Sequence, residues 1–159
     1  MDQVTTQIDP IIREIALEEL AKTADLRREM TMEIDGADYD REHPGWRDRY
    51  TSFFGDLVRG GRGQFFVAEI AGQLIGSAGV YKLVNHRSSI ILAQSAYVST
   101  VYVKPQWRRR GIARALVQQT IAWAQGNGCE VVRLRTSQGG RPLYEVLGFQ
   151  QSDELELRF

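Results

Sequence analysis

The sequence is poor in the residues that build disulfide scaffolds and metal centres. Among its 159 residues there is one cysteine, Cys129, so no internal disulfide can form, and with only two histidines no Cys/His set has metal-site spacing. No run approaches the ~20 apolar residues that cross a bilayer, and the opening MDQVTTQIDP lacks a basic region followed by an apolar core. A complete, cytoplasmic protein is therefore expected, with no metal and no membrane partner. The four prolines and fifteen glycines form no linker or repeat, which leaves one domain over residues 1–159 as the expectation.

A local absence is more informative. Residues 71–129 hold no acidic residue and seven Lys/Arg, whereas residues 1–70 hold fifteen acids against nine Lys/Arg, although the net charge of the whole is zero. Charge sorted in this way suggests an anion site beside a cation site.

Hydrophobic periodicity orders the elements. Residues 4–17 read as a strand leading into a helix near Glu18 that extends to Met32, with Asp35-Gly36 as its stop, and residues 45–59 read as a second helix. QFFVAEI and LIGSAGVYKLV, parted by Ala71-Gly72-Gln73, form a predicted hairpin, and residues 85–89 a predicted loop. SAYVSTVYV, residues 95–103, is a strand stopped by Pro105; a helix follows over residues 110–125, then a buried strand EVVRLRT, a short helix over residues 140–147 and a last strand within ELELRF. The order β-α-α-β-β-β-α-β-α-β gives a mixed α/β sheet.

The loop between the fourth strand and the helix after it, KPQWRRRGIAR, carries the chemistry. Backbone N–H groups at a helix start lack intrahelical partners and the macrodipole adds positive charge there, so an anion is favoured. Gly111 leaves room for the backbone to approach a ligand, Ala113 keeps the same face low, and the arginines offer forked hydrogen bonds to phosphate oxygens. An ordinary solvated helix start fits poorly, because arginines there oppose the dipole. A nucleic-acid patch fits poorly as well, given a pI of 6.7 and an acidic first third. No Gly-Lys-Ser/Thr and no GxGxxG is present, which leaves a pyrophosphate ligand of another type.

Val101-Tyr102-Val103, Pro105 and Arg108-Arg109-Arg110-Gly111-Ile112-Ala113 resemble the acetyl-CoA motif Gln/Arg-x-x-Gly-x-Gly/Ala of the GNAT superfamily of N-acetyltransferases. Downstream, Leu143-Tyr144-Glu145-Val146-Leu147-Gly148-Phe149 resembles that family's Leu-Tyr-x-x-x-Gly-Phe segment. The resemblance covers residues 99–149. It implies a GNAT-like, mostly antiparallel sheet flanked by helices, splayed beyond the strand that ends at Val103 to admit acetyl-CoA. It also implies that the backbone of Val101 to Val103 pairs with the pantetheine arm and that the amides of Arg109 to Arg114 wrap the pyrophosphate. Tyr144 would protonate the leaving thiolate. Ser137 joins the cofactor set, standing where many members have an asparagine.

The general base is unassigned, with Glu33 and Asp35 as candidates. The implied reaction is direct acetyl transfer to a primary amine. The acidic first third points to a cationic small molecule or peptide amine as acceptor, bound against the helices of residues 18–59. The alternative is a non-catalytic CoA-binding module. A homodimer is left open, and Cys129, beyond the helix from the loop, is a core thiol.

Overall fold

The computed structural model describes residues 8–36, 38–83 and 94–159. Among these residues five strands form one sheet in the order β1-β2-β3-β4-β5: Ile11–Glu14, Gly63–Ile70, Gln73–Leu83, Ser95–Val103 and Val131–Leu134. All neighbours are antiparallel except β4 and β5, which are parallel and joined by helix α4, Ile112–Gly126. Helices α1, Leu20–Asp35, α2, Tyr39–Glu42, and α3, Trp46–Arg59, lie between β1 and β2, and α5, Arg141–Val146, follows β5. This is the mixed, mostly antiparallel, helix-flanked sheet expected.

The period-2 alternation of β2 divides the core. Phe65 and Val67 face one side, where they pack with Leu20, Ala24, Tyr50 and Phe54 of the first helices. Phe66 and Ala68 face the other, joining Ile112, Leu116 and Ala124 of α4. The apolar spacing of α4 that marks it as amphipathic in the sequence is the set that meets the sheet.

Several boundaries differ from expectation. The first α-helix starts at Leu20 because the Glu19 carboxylate accepts the Ala16 N–H at 3.0 Å and two Arg13 hydrogen bonds at 2.8 Å, which fixes residues 17–19 as a 3-10 turn. It ends at Asp35, where Gly36 (φ 65°) donates to the Met32 carbonyl. The extra short helix α2 is capped by Asp38, whose side chain accepts from the Arg41 N–H. The hairpin turn needs only Ala71 and Gly72, both at positive φ, so Gln73 already belongs to β3.

Strand β5 is half-buried rather than buried, being an edge strand that meets only β4. The last strand is not formed: residues 150–159 are irregular, with Leu155, Leu157 and Phe159 exposed, because alternation makes a strand only where a ladder partner is in reach. The expected loop over residues 85–89 lies outside the described residues. Among the described residues no helix is long and apolar enough to cross a membrane.

Candidate active site

Strands β4 and β5 pair only through Ser95–Val98 and Val131–Leu134. Beyond Val98 they part, and the β5-facing edge of β4 from Ser99 to Val103 opens on a cleft of about 860 Å3. Here β4 also bulges. Gly79 faces Ser99 while Ser77 faces Tyr102, so β4 carries one residue more than β3 across this interval, and Thr100 adopts φ 56°. A β-branched residue in the left-handed region is strained and is held by its surroundings: its carbonyl accepts from Ser77 Oγ at 3.3 Å, and its own Oγ1 donates to the Ser99 carbonyl at 2.7 Å.

The loop after β4 reaches the same cleft. Arg109 (φ 63°) and Gly111 (φ 77°) are both left-handed, a backbone conformation of the kind from which anion-binding nests are built. The first α-helical bond of α4 is Ala115 N–H to the Gly111 carbonyl at 3.0 Å, so the N–H groups of Ile112, Ala113 and Arg114 precede the helical ladder. A Cβ built on Gly111 meets nothing within 4 Å, which means the space before this backbone is open.

The cleft brings together Val101, Tyr102, Val103, Arg108, Arg109, Gly111, Ile112, Ala113, Arg114, Ser137 and Tyr144. Arg110 does not line it; its guanidinium lies over the Trp107 ring, 4.9 Å from the centroid. Gly140 seats α5: a Cβ there would stand 2.9 Å from Thr136 Oγ1 and 3.4 Å from the Tyr144 ring. The Tyr144 ring is buried against Phe149, its hydroxyl has no hydrogen-bond partner among the described residues, and burial pushes its pKa up to about 12. It is a protonated donor facing the cleft at neutral pH.

Helix α1 contributes Met30, Glu33 and Ile34 to the opposite wall, a part played by residues that carry no motif. Arg108 donates to both Glu33 carboxylate oxygens, at 2.7 and 2.8 Å, and through Nε to the Val103 carbonyl at 2.8 Å. The Tyr102 hydroxyl donates to Glu33 at 3.2 Å. The Arg108 hydrogen bonds hold the Glu33 carboxyl below its ordinary range, and burial, aided by Glu33, pushes Tyr102 up to about 12. Glu33 is thus a tethered anion and a poor base. Asp35 is exposed at the helix end and lines no cavity described here. Cys129 packs half-buried against the α4 side of the core, with burial raising its thiol pKa, which suits a core thiol.

A second cavity, of about 420 Å3, adjoins the first at Ser99 and is walled by aromatic residues of α2 and α3 together with Arg27, His43 and Arg49. None of these residues is signalled by a motif; the only hint in the sequence is the aromatic density of residues 46–54.

The model of the acetyltransferase (GNAT) family matches residues 19–149. N-acetyltransferase 8 of Rattus norvegicus is 33% identical over 115 residues, 70% of this chain and 49% of that protein. An uncharacterized N-acetyltransferase of Methanocaldococcus jannaschii is 29% identical over 104 residues, 64% and 45% of the two chains. The chain thus spans about half the length of the curated relatives it matches. In structure it is similar to a predicted acetyltransferase from Clostridium acetobutylicum crystallised with acetyl-CoA, with a TM-score of 0.80, 21% identity and coverage of 94% and 96%. That likeness speaks for the fold.

Proposed function

The chain belongs to the acetyltransferase (GNAT) family, and we propose that residues 1–159 act as one acetyl-CoA-dependent N-acetyltransferase domain that moves the acetyl group directly to a primary amine. The observation that carries this is the continuity of one backbone surface: the open edge of β4 runs from the strained bulge at Thr100 into the left-handed cradle before α4, and both face Tyr144 across one cleft.

The described groups fit an acetyl-CoA molecule laid along that surface. The edge of Val101 to Val103 that β5 leaves open receives the pantetheine amides as a strand would, the Val103 carbonyl excepted because Arg108 holds it. The amides of Arg109 to Arg114, with the side chains of Arg109 and Arg114, receive the pyrophosphate, and Ser137 lines the far wall. Arg108 contributes through the loop it braces, since its guanidinium is held by Glu33 and the Val103 carbonyl. Arg110 contributes through its backbone. Acetyl-CoA supplies an activated acyl group.

The residues of the chain do the rest. A β4 N–H donates to the carbonyl oxygen, where negative charge develops as the amine attacks and the new C–N bond forms. As the C–S bond breaks, Tyr144 gives its proton to the leaving sulfur and recovers one from solvent. The proton lost by the amine leaves through the acceptor side.

The expectation of a cationic acceptor rested on the acidic first third. Among the described residues seven of its acids are ion-paired, including Glu19 with Arg13, Asp25 with Arg47, Glu29 with Lys104, Glu33 with Arg108 and Asp40 with Arg28. Calorimetric binding of CoA together with thiol release from acetyl-CoA across a broad amine panel tests the enzyme reading. Tight CoA binding with no thiol release from any amine would instead establish a non-catalytic CoA-binding module.

A further inference from the structure

We infer that the second cavity, where Arg27 and Arg49 flank a wall of aromatic rings beside Ser99 and Thr100, is the acceptor site, and that its acceptor is an amine bearing both a carboxylate and an apolar group, of which a hydrophobic amino acid is the simplest case. This rests on the acetyltransferase reading, because it takes the bulged segment of β4 as the place where the acyl carbon lies.

Position comes first. Ser99 lines both cavities, so an acyl group on the open edge of β4 is met from the cofactor cleft on one side and from this cavity on the other. A molecule seated here presents its amine at the strained bulge, and the rest of it must match the walls.

Charge is decisive for those walls. Among the described residues no carboxylate lines the cavity, while two arginines do, and neither has a carboxylate within 4.0 Å. Two acids of the same helices are committed elsewhere: Asp40 accepts the Trp46 indole N–H at 2.8 Å and pairs with Arg28, and Asp25 pairs with Arg47 at 2.8 Å. Among the described residues the one hydrogen bond from a guanidinium of this pair runs from Arg49 Nη1 to the Pro44 carbonyl at 3.0 Å, which fixes the direction of the guanidinium and leaves its other donors without a described partner. A polyamine would meet like charge; a carboxylate finds forked donors from two different helices.

The remaining surface is apolar. Trp46, Tyr50 and Phe54 are buried and meet in series, edge-on and tilted, with ring centroids 6.0 and 4.9 Å apart. Their polar atoms face away from any ligand, since the Trp46 N–H goes to Asp40 and the Tyr50 hydroxyl donates to the buried Thr23 Oγ1 at 2.9 Å. Phe53 is 50% exposed at the rim, a large apolar ring with no full cover in the fold. An apolar side chain on the acceptor covers it and fills the aromatic wall.

The test uses the whole chain with acetyl-CoA and follows thiol release with L-phenylalanine, with phenethylamine, which differs only in lacking the carboxylate, and with spermidine. We expect kcat/KM for phenylalanine to exceed both others by roughly tenfold or more, the discrimination a charge-assisted pair provides. Arg27→Gln and Arg49→Gln should each raise the KM for phenylalanine and shrink its advantage over phenethylamine by roughly tenfold, with Arg27→Lys keeping part of it. The KM for acetyl-CoA should stay in place, which also shows that the variants are folded. Faster turnover of spermidine or of phenethylamine overturns the inference and leaves the enzyme reading intact.

Titration of N-acetyl-L-phenylalanine into CoA-saturated protein reads the cavity without turnover. Saturable binding that weakens in Arg49→Gln supports the acceptor class even if catalysis fails; no binding at millimolar ligand overturns it.

Discussion

The two cavities meet at Ser99 but are made in opposite ways. The cofactor cleft is mainly backbone: an unpaired strand edge, a left-handed turn at Arg109 and Gly111, and a helix start whose N–H groups precede the ladder. The cavity proposed for the acceptor is mainly side chains, contributed by α1, α2 and α3 and closed by β4. A backbone site tolerates side-chain change and fails when the chain path is blocked, whereas a side-chain site can be rebuilt for a new acceptor without disturbing the fold. On the proposed reading one protein combines a fixed acetyl donor with an adaptable acceptor.

The sharpest way to break this contrast is Gly111→Glu. It forces a side chain onto φ 77° and puts bulk and negative charge into the open space before the cradle, and we expect acetyl-CoA affinity to fall by roughly a hundredfold or more in calorimetry. Unchanged affinity would remove the backbone from the argument.

Tyr144→Phe deletes a hydroxyl and leaves both the ring packing and the backbone alone. Turnover should drop by roughly a hundredfold while the KM for acetyl-CoA stays nearly constant. Equal kcat would return Tyr144 to a packing role against Phe149.

Arg114→Ala sharpens the comparison from the other side. Because the N–H groups remain, acetyl-CoA binding should weaken by only about three- to tenfold, and the loss should shrink further at high salt. A loss as large as that of Gly111→Glu would make the cleft a side-chain site after all.

The smallest effect is expected from the tie that fixes the start of α1, the helix that serves both cavities. Arg13 and the Ala16 N–H hold Glu19 at about 2 rather than 4.5. A depressed folded-state value adds stability above the unfolded value and forfeits it as pH falls from about 4.5 towards 2. Thermal melts should therefore show wild type losing its advantage over Glu19→Gln across that window and keeping it at neutral pH. A pH-independent difference would show that Glu19 acts through packing alone.

The cleft was legible because its parts are local. A strand, a turn with glycine at the position that needs positive φ, and a helix start occupy residues 95–126 without interruption, and each has a signature at fixed spacing. The final strand misled because alternation in ELELRF states only a preference, and pairing depends on whether an edge comes within reach. The acids of residues 1–70 are legible only as a count: that Glu33 meets Arg108 and Glu29 meets Lys104 across the fold is not written in any local pattern.

By itself, then, the sequence determined the sheet protein and the place proposed for its acetyl donor, since hydrogen-bond geometry and the helix dipole act over a few residues. Only the tertiary structure decided that Glu33 clamps Arg108, that β4 parts from β5 beyond Val98, and that Arg27 and Arg49 converge on one aromatic wall. Those outcomes depend on contacts between residues far apart in the chain, and no local pattern encodes the partner.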